Sequence, residues 1–201
     1  MPLPQPLDLP DPASYDAVIF DCDGTLADTM PVHYQAWCKA LGANAPFFPE
    51  PVFYSLGGVP TVRIVELLNE QHGLTLPPDS TVEIKEQLFL QLCSHVEPIT
   101  EVVAFAESLR GKKPISVASG GHRHVVHNTL QAINVFNWFE HIVTAEDYNR
   151  GKPHPDPFLV AAKRMGVPPE RCLVFEDSVT GLDAARAANM LSVFVPAPIR
   201  A

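Results

Sequence analysis

The string Asp21-Cys22-Asp23-Gly24-Thr25-Leu26, with Asp28-Thr29 beyond it, follows directly on the apolar run Ala17-Val18-Ile19-Phe20. Side chains two apart along an extended chain point the same way, so Asp21 and Asp23 present two carboxylates to one place at the end of a buried strand. Two such charges are costly there unless a cation or a reacting group compensates them. By spacing alone the pair equally fits an Asx-type turn that closes a strand. Several other chemistries are excluded by register. An EF-hand loop needs glycine at its sixth position, whereas Gly24 is fourth. A P-loop around Gly151-Lys152 fails, because Glu146 stands where the first glycine belongs and Pro153 replaces Ser or Thr. No G-x-S-x-G elbow and no G-x-G-x-x-G turn occurs. His122, His124 and His127 are not read as a zinc site, since their spacing brings no fourth ligand.

Elements that could position such groups show in the hydrophobic periods. Ile115-Ser116-Val117-Ala118 ends in Ser119-Gly120-Gly121, Cys172-Leu173-Val174-Phe175 ends in Glu176-Asp177, and Leu191-Ser192-Val193-Phe194-Val195 lies near the end. His141-Ile142-Val143-Thr144 is a fifth, weaker run. Near-continuous apolar runs are expected of parallel strands covered on both faces. Helical spacing fills the intervals: Val102, Phe105, Ala106 and Leu109; Val125, Val126, Thr129, Leu130 and Ile133; Phe158, Ala161, Ala162 and Met165; and an alanine-rich stretch from Ser178 to Asn189. The alternation predicts an α/β fold, a doubly wound, Rossmann-like parallel sheet of about five strands with its ligands beyond the strands' carboxyl ends.

Residues 29–98 break this rhythm, with no convincing strand over about seventy residues. They read as an inserted helical module, with helices over 30–42, 61–72 and 80–94, the last showing Ile84, Leu88 and Leu92 on one face. Placed directly after the first strand's acidic turn, the insertion is expected to act as a lid. The resulting division is an extended tail, 1–13, a core of 14–28 and 99–201, and an α-helical cap of 29–98. Five prolines in the first twelve residues favour a loosely held tail outside the core.

Composition bounds the function. With 46% hydrophobic and 18% charged residues in 201, the chain has material for a buried core. Its 14 Lys and Arg against 23 Asp and Glu, a net charge of −9, argue against nucleic acid or an anionic membrane as partner. No secretory signal or membrane-length apolar run is evident, and Cys22, Cys38, Cys93 and Cys172 are scattered singly, which predicts reduced thiols and a cytoplasmic location. A monomer is the default.

The full string D-x-D-G-T-L-x-D-T is far more specific than its parts, and with it the chain resembles the haloacid dehalogenase superfamily of phosphotransferases. Ser119, Lys152 in Gly-Lys-Pro-His-Pro-Asp-Pro-Phe and Glu176-Asp177 in Phe-Glu-Asp-Ser-Val-Thr-Gly-Leu-Asp-Ala-Ala follow in the family's order. The insertion is similar to the helical cap of the β-phosphoglucomutase-like subgroup. The likeness is greatest to the fructose-1-phosphate and 6-phosphogluconate phosphatase type, through Pro31-Val32-His33-Tyr34-Gln35-Ala36-Trp37 and Pro60-Thr61-Val62-Arg63-Ile64. The resemblance implies a small phosphate ester as substrate and Mg2+ as cofactor, held by Asp21, the Asp23 carbonyl, Glu176 and Asp177. It further implies Asp21 as nucleophile, Asp23 as general acid and base, and Ser119, Gly120, Lys152 and Thr25 as phosphate ligands, with N–H groups at the start of the following helix assisting. A phosphomutase and a catalytically weak phosphosugar-binding protein are the alternatives on this scaffold.

Four further residues are candidates for substrate contact. Arg123 near the helix start reads as a phosphate or sugar contact or as a surface arginine. His33 matches a histidine of the subgroup and reads as a contact to Asp23 or the sugar, or as a helix-surface residue. Lys85 matches a lysine of the mutase cap, and Arg63 is the one arginine of the insertion; both read as recognition groups or as solvated charges. The mutase pattern has arginine just after Gly-Val-Ser, whereas this chain reads Gly58-Val59-Pro60-Thr61, which weakens a second-phosphate grip.

Overall fold

In the computed structural model, which describes residues 1–56 and 59–199, five apolar runs become strands of one parallel sheet. The chain begins with β1 (Ala17–Phe20) and a two-residue strand β2 (Ala27–Asp28). It then runs through helices α1 (Met30–Leu41), α2 (Glu50–Ser55), α3 (Thr61–His72) and α4 (Pro78–Leu92), and returns at β3 (Glu97–Pro98). Alternation follows: α5 (Thr100–Leu109), β4 (Ile115–Ala118), α6 (Arg123–Ala132), β5 (His141–Val143), α7 (Asp156–Met165), β6 (Cys172–Glu176), α8 (Val179–Ala187) and β7 (Leu191–Phe194). The strand order β5-β4-β1-β6-β7 places β1 centrally, where the order reverses. A crevice for ligands is expected there, beyond the carboxyl end of β1.

Every residue of β1, β4 and β6 is buried, as the unalternating runs required. One face of the sheet gathers Ala17, Ile19, Ala118, Val143 and Val174 against Phe158, Ala161 and Ala162 of α7 and Ala184 and Ala185 of α8. Small residues on both helices let them approach the strands closely. On Phe20 converge the rings of Phe105, Phe139 and Phe175, at centroid distances of 6.5, 6.1 and 5.0 Å, the spacing favoured by edge and tilted aromatic pairs.

The strand-free interval contains a compact unit of Met30–His95, separate from a unit made of Met1–Thr29 and Val96–Ala201. It has its own core of Trp37, Leu41, Phe48, Phe53, Ile64, Val65 and Leu68. The face expected of α4 is corrected: Thr81, Lys85 and Phe89 are its buried residues, while Ile84 is 49% exposed. Thr81, Lys85 and Phe89 lie four apart on one helix face, so burying Phe89 carries Lys85 inward and turns Ile84 out. The boundary also carries a ribbon too short to read in sequence, β2 pairing antiparallel with β3 as Ala27 with Pro98 and Asp28 with Glu97.

The N-terminal segment is held more firmly than its prolines suggest. Leu3 is buried, its N–H donates to the Glu101 carboxylate at 3.0 Å, and the Met1 carbonyl accepts from the Thr100 N–H. The four cysteines are free thiols. Among the described residues no helix is long and apolar enough to cross a membrane.

Candidate active site

Parallel register brings the sequence-predicted residues to one edge of the sheet. Phe20 pairs with Phe175 of β6 and Val117 of β4, so Asp21 comes abreast of Glu176, and Ser119 follows one residue later on the other side. The Asp21 N–H donates to the Phe175 carbonyl at 3.0 Å, which fixes the strand end. The chain then turns around the Cys22 carbonyl, which accepts from the N–H groups of Leu26 and Ala27, both at 3.0 Å. Gly24 is required in this turn: its φ is +81°, and a Cβ there would overlap the Asp177 carboxylate.

Asp21, Glu176 and Asp177 each offer an oxygen within 4.8 Å of the others. Lys152 lies among them, its Nζ donating to Asp21 Oδ1 at 2.6 Å and to Glu176 Oε1, over the Phe158 ring at 4.9 Å. The second oxygen of Glu176 accepts from the N–H and the hydroxyl of Ser178 at 2.8 and 2.9 Å. A Cβ at residue 181 would overlap this carboxylate, so the first turn of α8 needs Gly181. Burial pushes the Asp21 carboxyl up to about 7; Lys152 opposes the shift, and Glu176 and Asp23 add to it. Asp177 is likewise raised well above the usual carboxylate range, first by burial and then by Asp21 and Glu176. The same carboxylates raise the Lys152 ammonium against its own desolvation.

Three carboxylates, Asp21, Glu176 and Asp177, thus gather around one ammonium. Three close, hard oxygens with too little positive charge fit a divalent cation such as Mg2+. The Asp23 side chain stands outside that triad of donors. It is half-buried, and its Oδ2 lies 3.7 Å from where a Cβ of Gly121 would be, on the side of the Ser119 loop.

Two buried hydroxyls suit an oxyanion. Thr25 Oγ1 is buried without a hydrogen-bond partner, an arrangement that costs free energy unless a ligand completes it. Ser119 is buried, and its Oγ accepts from the Gly121 N–H at 3.0 Å while keeping its own proton to donate. Gly120 is exposed, with open space around its α-carbon.

The start of α6 differs from the expectation that it assists phosphate. The Arg123 N–H donates to the Glu146 carboxylate at 3.0 and 3.1 Å, so this helix end already holds an anion. Arg123 itself is not brought to the cluster, because its guanidinium pairs with Asp147 at 3.0 Å. His122 bonds Glu146, and His127 packs edge-on against Phe136, so the histidines are spent on helix and loop contacts.

In the helical unit, His33 and Lys85 meet: Lys85 Nζ is 3.0 Å from His33 Nδ1, and the imidazole stacks on Phe89. Arg63 is instead bound on its own helix, to Glu66 at 3.0 Å and Glu70 at 2.9 Å, which favours its reading as a surface charge. Gly58, part of the comparison with the mutase pattern, lies outside the described residues. Sequence reasoning missed Tyr148, whose hydroxyl donates to the Ser119 carbonyl at 3.1 Å, and the clasp that Ser178 and Gly181 form on Glu176. Only the glycine three residues after a strand-end Ser carried any signal for the clasp.

The haloacid dehalogenase-like hydrolase family matches residues 15–189 of the chain. Fructose-1-phosphate phosphatase YqaB of Escherichia coli K12 is 36% identical over 182 residues, 90% of this chain and 96% of that protein. The 6-phosphogluconate phosphatase of the same organism is 29% identical over 87% of this chain and 80% of its own length. In fold, the chain is similar to CbbY of Rhodobacter sphaeroides, solved in complex with phosphate, with a TM-score of 0.80 at 23% identity over 89% of this chain and 84% of that one.

Proposed function

The chain belongs to the haloacid dehalogenase-like hydrolases, and from that premise we propose that it is a Mg2+-dependent phosphatase of small sugar phosphates. The observation that carries the reading is the cluster in which Lys152 bonds both Asp21 and Glu176 beside Asp177. The names of two relatives, which act on fructose-1-phosphate and 6-phosphogluconate, support the substrate class. In this reading residues 14–28 and 99–201 carry the chemistry, and 29–98 select the substrate.

Asp21 is the nucleophile. Its carboxylate oxygen attacks phosphorus, the P–O bond to the sugar breaks, and Asp23 gives its proton to the departing alkoxide. Asp23, now a carboxylate, takes a proton from water as that water attacks the aspartyl-phosphate, which releases inorganic phosphate and regenerates Asp21. Such a general acid and base contributes roughly 10²–10⁴-fold in rate. Ser119 and Thr25 donate hydroxyls, Gly120 donates its N–H, and the Lys152 ammonium offsets the oxyanion charge. Asp21, Glu176 and Asp177, with the Asp23 carbonyl, would hold Mg2+, which when bound neutralises the ester dianion that otherwise repels a carboxylate nucleophile.

Against the phosphomutase alternative, a second-phosphate grip by Arg63 would have to break its pairs with Glu66 and Glu70. The intact catalytic set argues equally against a weak binding protein. The test is Asp21→Asn, assayed with p-nitrophenyl phosphate and a panel of sugar phosphates in the presence of Mg2+. Turnover by the wild type and its loss in the variant are expected; a variant with full turnover sinks the reading.

A further inference from the structure

The loop after β4 is held on both sides of Gly120: beyond it, the Gly121 carbonyl accepts from the Ala145 N–H at 3.0 Å, and three further hydrogen bonds hold Ser119 and the Gly121 amide. The Ser119 N–H donates to the Val143 carbonyl at 2.9 Å, the Gly121 N–H donates to Ser119 Oγ, and the Ser119 carbonyl accepts from Tyr148. The Gly120 N–H has no protein acceptor among the described residues. Ser119 C=O and Gly120 N–H belong to one peptide, and a planar trans peptide points its N–H opposite its C=O. Whatever holds the carbonyl therefore aims the amide.

Tyr148 is built to hold it. Its ring packs on the core cluster around Phe158, and its Cε2 would be 3.8 Å from a Cβ at Gly151, the residue before Lys152. Burial pushes its phenol up from the ordinary value, so the hydroxyl remains a donor at neutral pH. The Ser119 N–H and both polar groups of Gly121 are bonded elsewhere, so without that anchor the Ser119–Gly120 peptide is the one left to rotate between them, and glycine on its far side restricts it little. Freedom of this kind weakens an oxyanion site, whose donors act best when fixed in advance.

We propose that Tyr148 is a positioning residue for phosphate: by clamping the Ser119 carbonyl it fixes the Ser119–Gly120 peptide so that the Gly120 N–H serves as a preset phosphate donor. Its ring, resting beside Gly151, also ties this loop to the one that carries Lys152. The inference rests on the phosphatase reading, and its experiment separates the two. Tyr148→Phe deletes the donor and keeps the ring. With Mg2+ present, inhibition by inorganic phosphate and KM for p-nitrophenyl phosphate are expected to weaken by about 3- to 10-fold, the worth of one hydrogen bond. The melting temperature and the midpoint for activation by Mg2+ should stay at wild-type values. In the wild type, the Gly120 amide resonance should shift on addition of inorganic phosphate, and this response should shrink in the variant. Phosphate affinity and KM within twofold of wild type, or a wild-type Gly120 amide that ignores phosphate while Ser119 responds, overturns the role of Tyr148 alone. A wild type that neither hydrolyses phosphate esters nor binds phosphate overturns the phosphatase reading and this inference with it.

Discussion

Lys85 shows how a single side chain can defeat a periodic reading. In α4 the apolar residues Ile84, Leu88 and Leu92 invite burial, yet the ammonium of Lys85 goes inside and Ile84 stays out. The stem of Lys85 is covered, and its Nζ lies 5.9 Å from the Trp37 ring centre, 5.8 Å from that of Phe89 and 3.0 Å from His33 Nδ1. Aromatic faces and one ring nitrogen lower the cost of burying the charge without making it cheaper than a methyl group. A buried charge that an apolar residue could replace is weak support for stability, and it points to use in recognition. Lys85→Met keeps the stem and its packing, so the melting temperature should hold or rise. KM for sugar phosphates should increase about tenfold, the price of one good charged hydrogen bond, with p-nitrophenyl phosphate unaffected. A melting temperature several degrees lower with KM unchanged would show the pair to be structural. Arg63 and Arg123 teach the complementary lesson. Arg63 is bound by Glu66 and Glu70 on its own helix face, a spacing present in the sequence, whereas Arg123 is bound by Asp147, 24 residues away, which no local pattern announces.

The turn from β6 into α8 is an element in which backbone, cap and site are one construction. Ser178 caps the helix by accepting from the Gly181 N–H at 3.0 Å and, with the same hydroxyl, donates to Glu176. The carboxylate is thus pinned by Ser178 on one oxygen and Lys152 on the other, lying against the α-carbon of Gly181. A methyl group at 181 meets a group that cannot swing away. Gly181→Ala should cost about 1–3 kcal/mol, the range for overpacking, and should weaken Mg2+ activation more than it weakens the fold. Urea denaturation with and without Mg2+, alongside activity titrated with Mg2+, checks this; a variant with wild-type midpoints in both would contradict it. The sequence announces the strand here plainly, because Cys172-Leu173-Val174-Phe175 can only be a buried run, and the same holds for the ends that carry Asp21 and Ser119. It does not announce contacts made through backbone carbonyls, such as that of Tyr148, or the ribbon β2–β3, whose two-residue strands are shorter than any period. Nor does it reveal that Glu146, arriving from beyond β5, occupies the start of α6.

At the scale of the whole molecule the net charge is −9, and part of that acidity is concentrated at the cluster of Asp21, Glu176 and Asp177. The cluster makes stability depend on pH in a direction opposite to that of ordinary carboxylates. Asp21, held near 7 by burial, keeps a proton in the folded chain that the unfolded chain, with an ordinary carboxyl, has already lost. Between about pH 4 and 7 this group therefore binds more protons in the folded state, and its contribution to stability falls as pH rises through that window. Asp177, raised by burial and by its neighbours, adds to the fall. Lys152 stays charged throughout the window and contributes no slope. Bound Mg2+ selects the deprotonated carboxylates, so its stabilisation grows with pH, following the mass-action gain of a ligand that binds only the folded form. His127, lowered by burial, titrates in the opposite sense near neutrality, but it does so with or without metal. Subtracting melting curves in EDTA from those in saturating Mg2+ removes its share. The difference in melting temperature is expected to be small at pH 5 and to widen steadily to pH 8; an equal Mg2+ shift at both would mean that these carboxylates do not hold the metal.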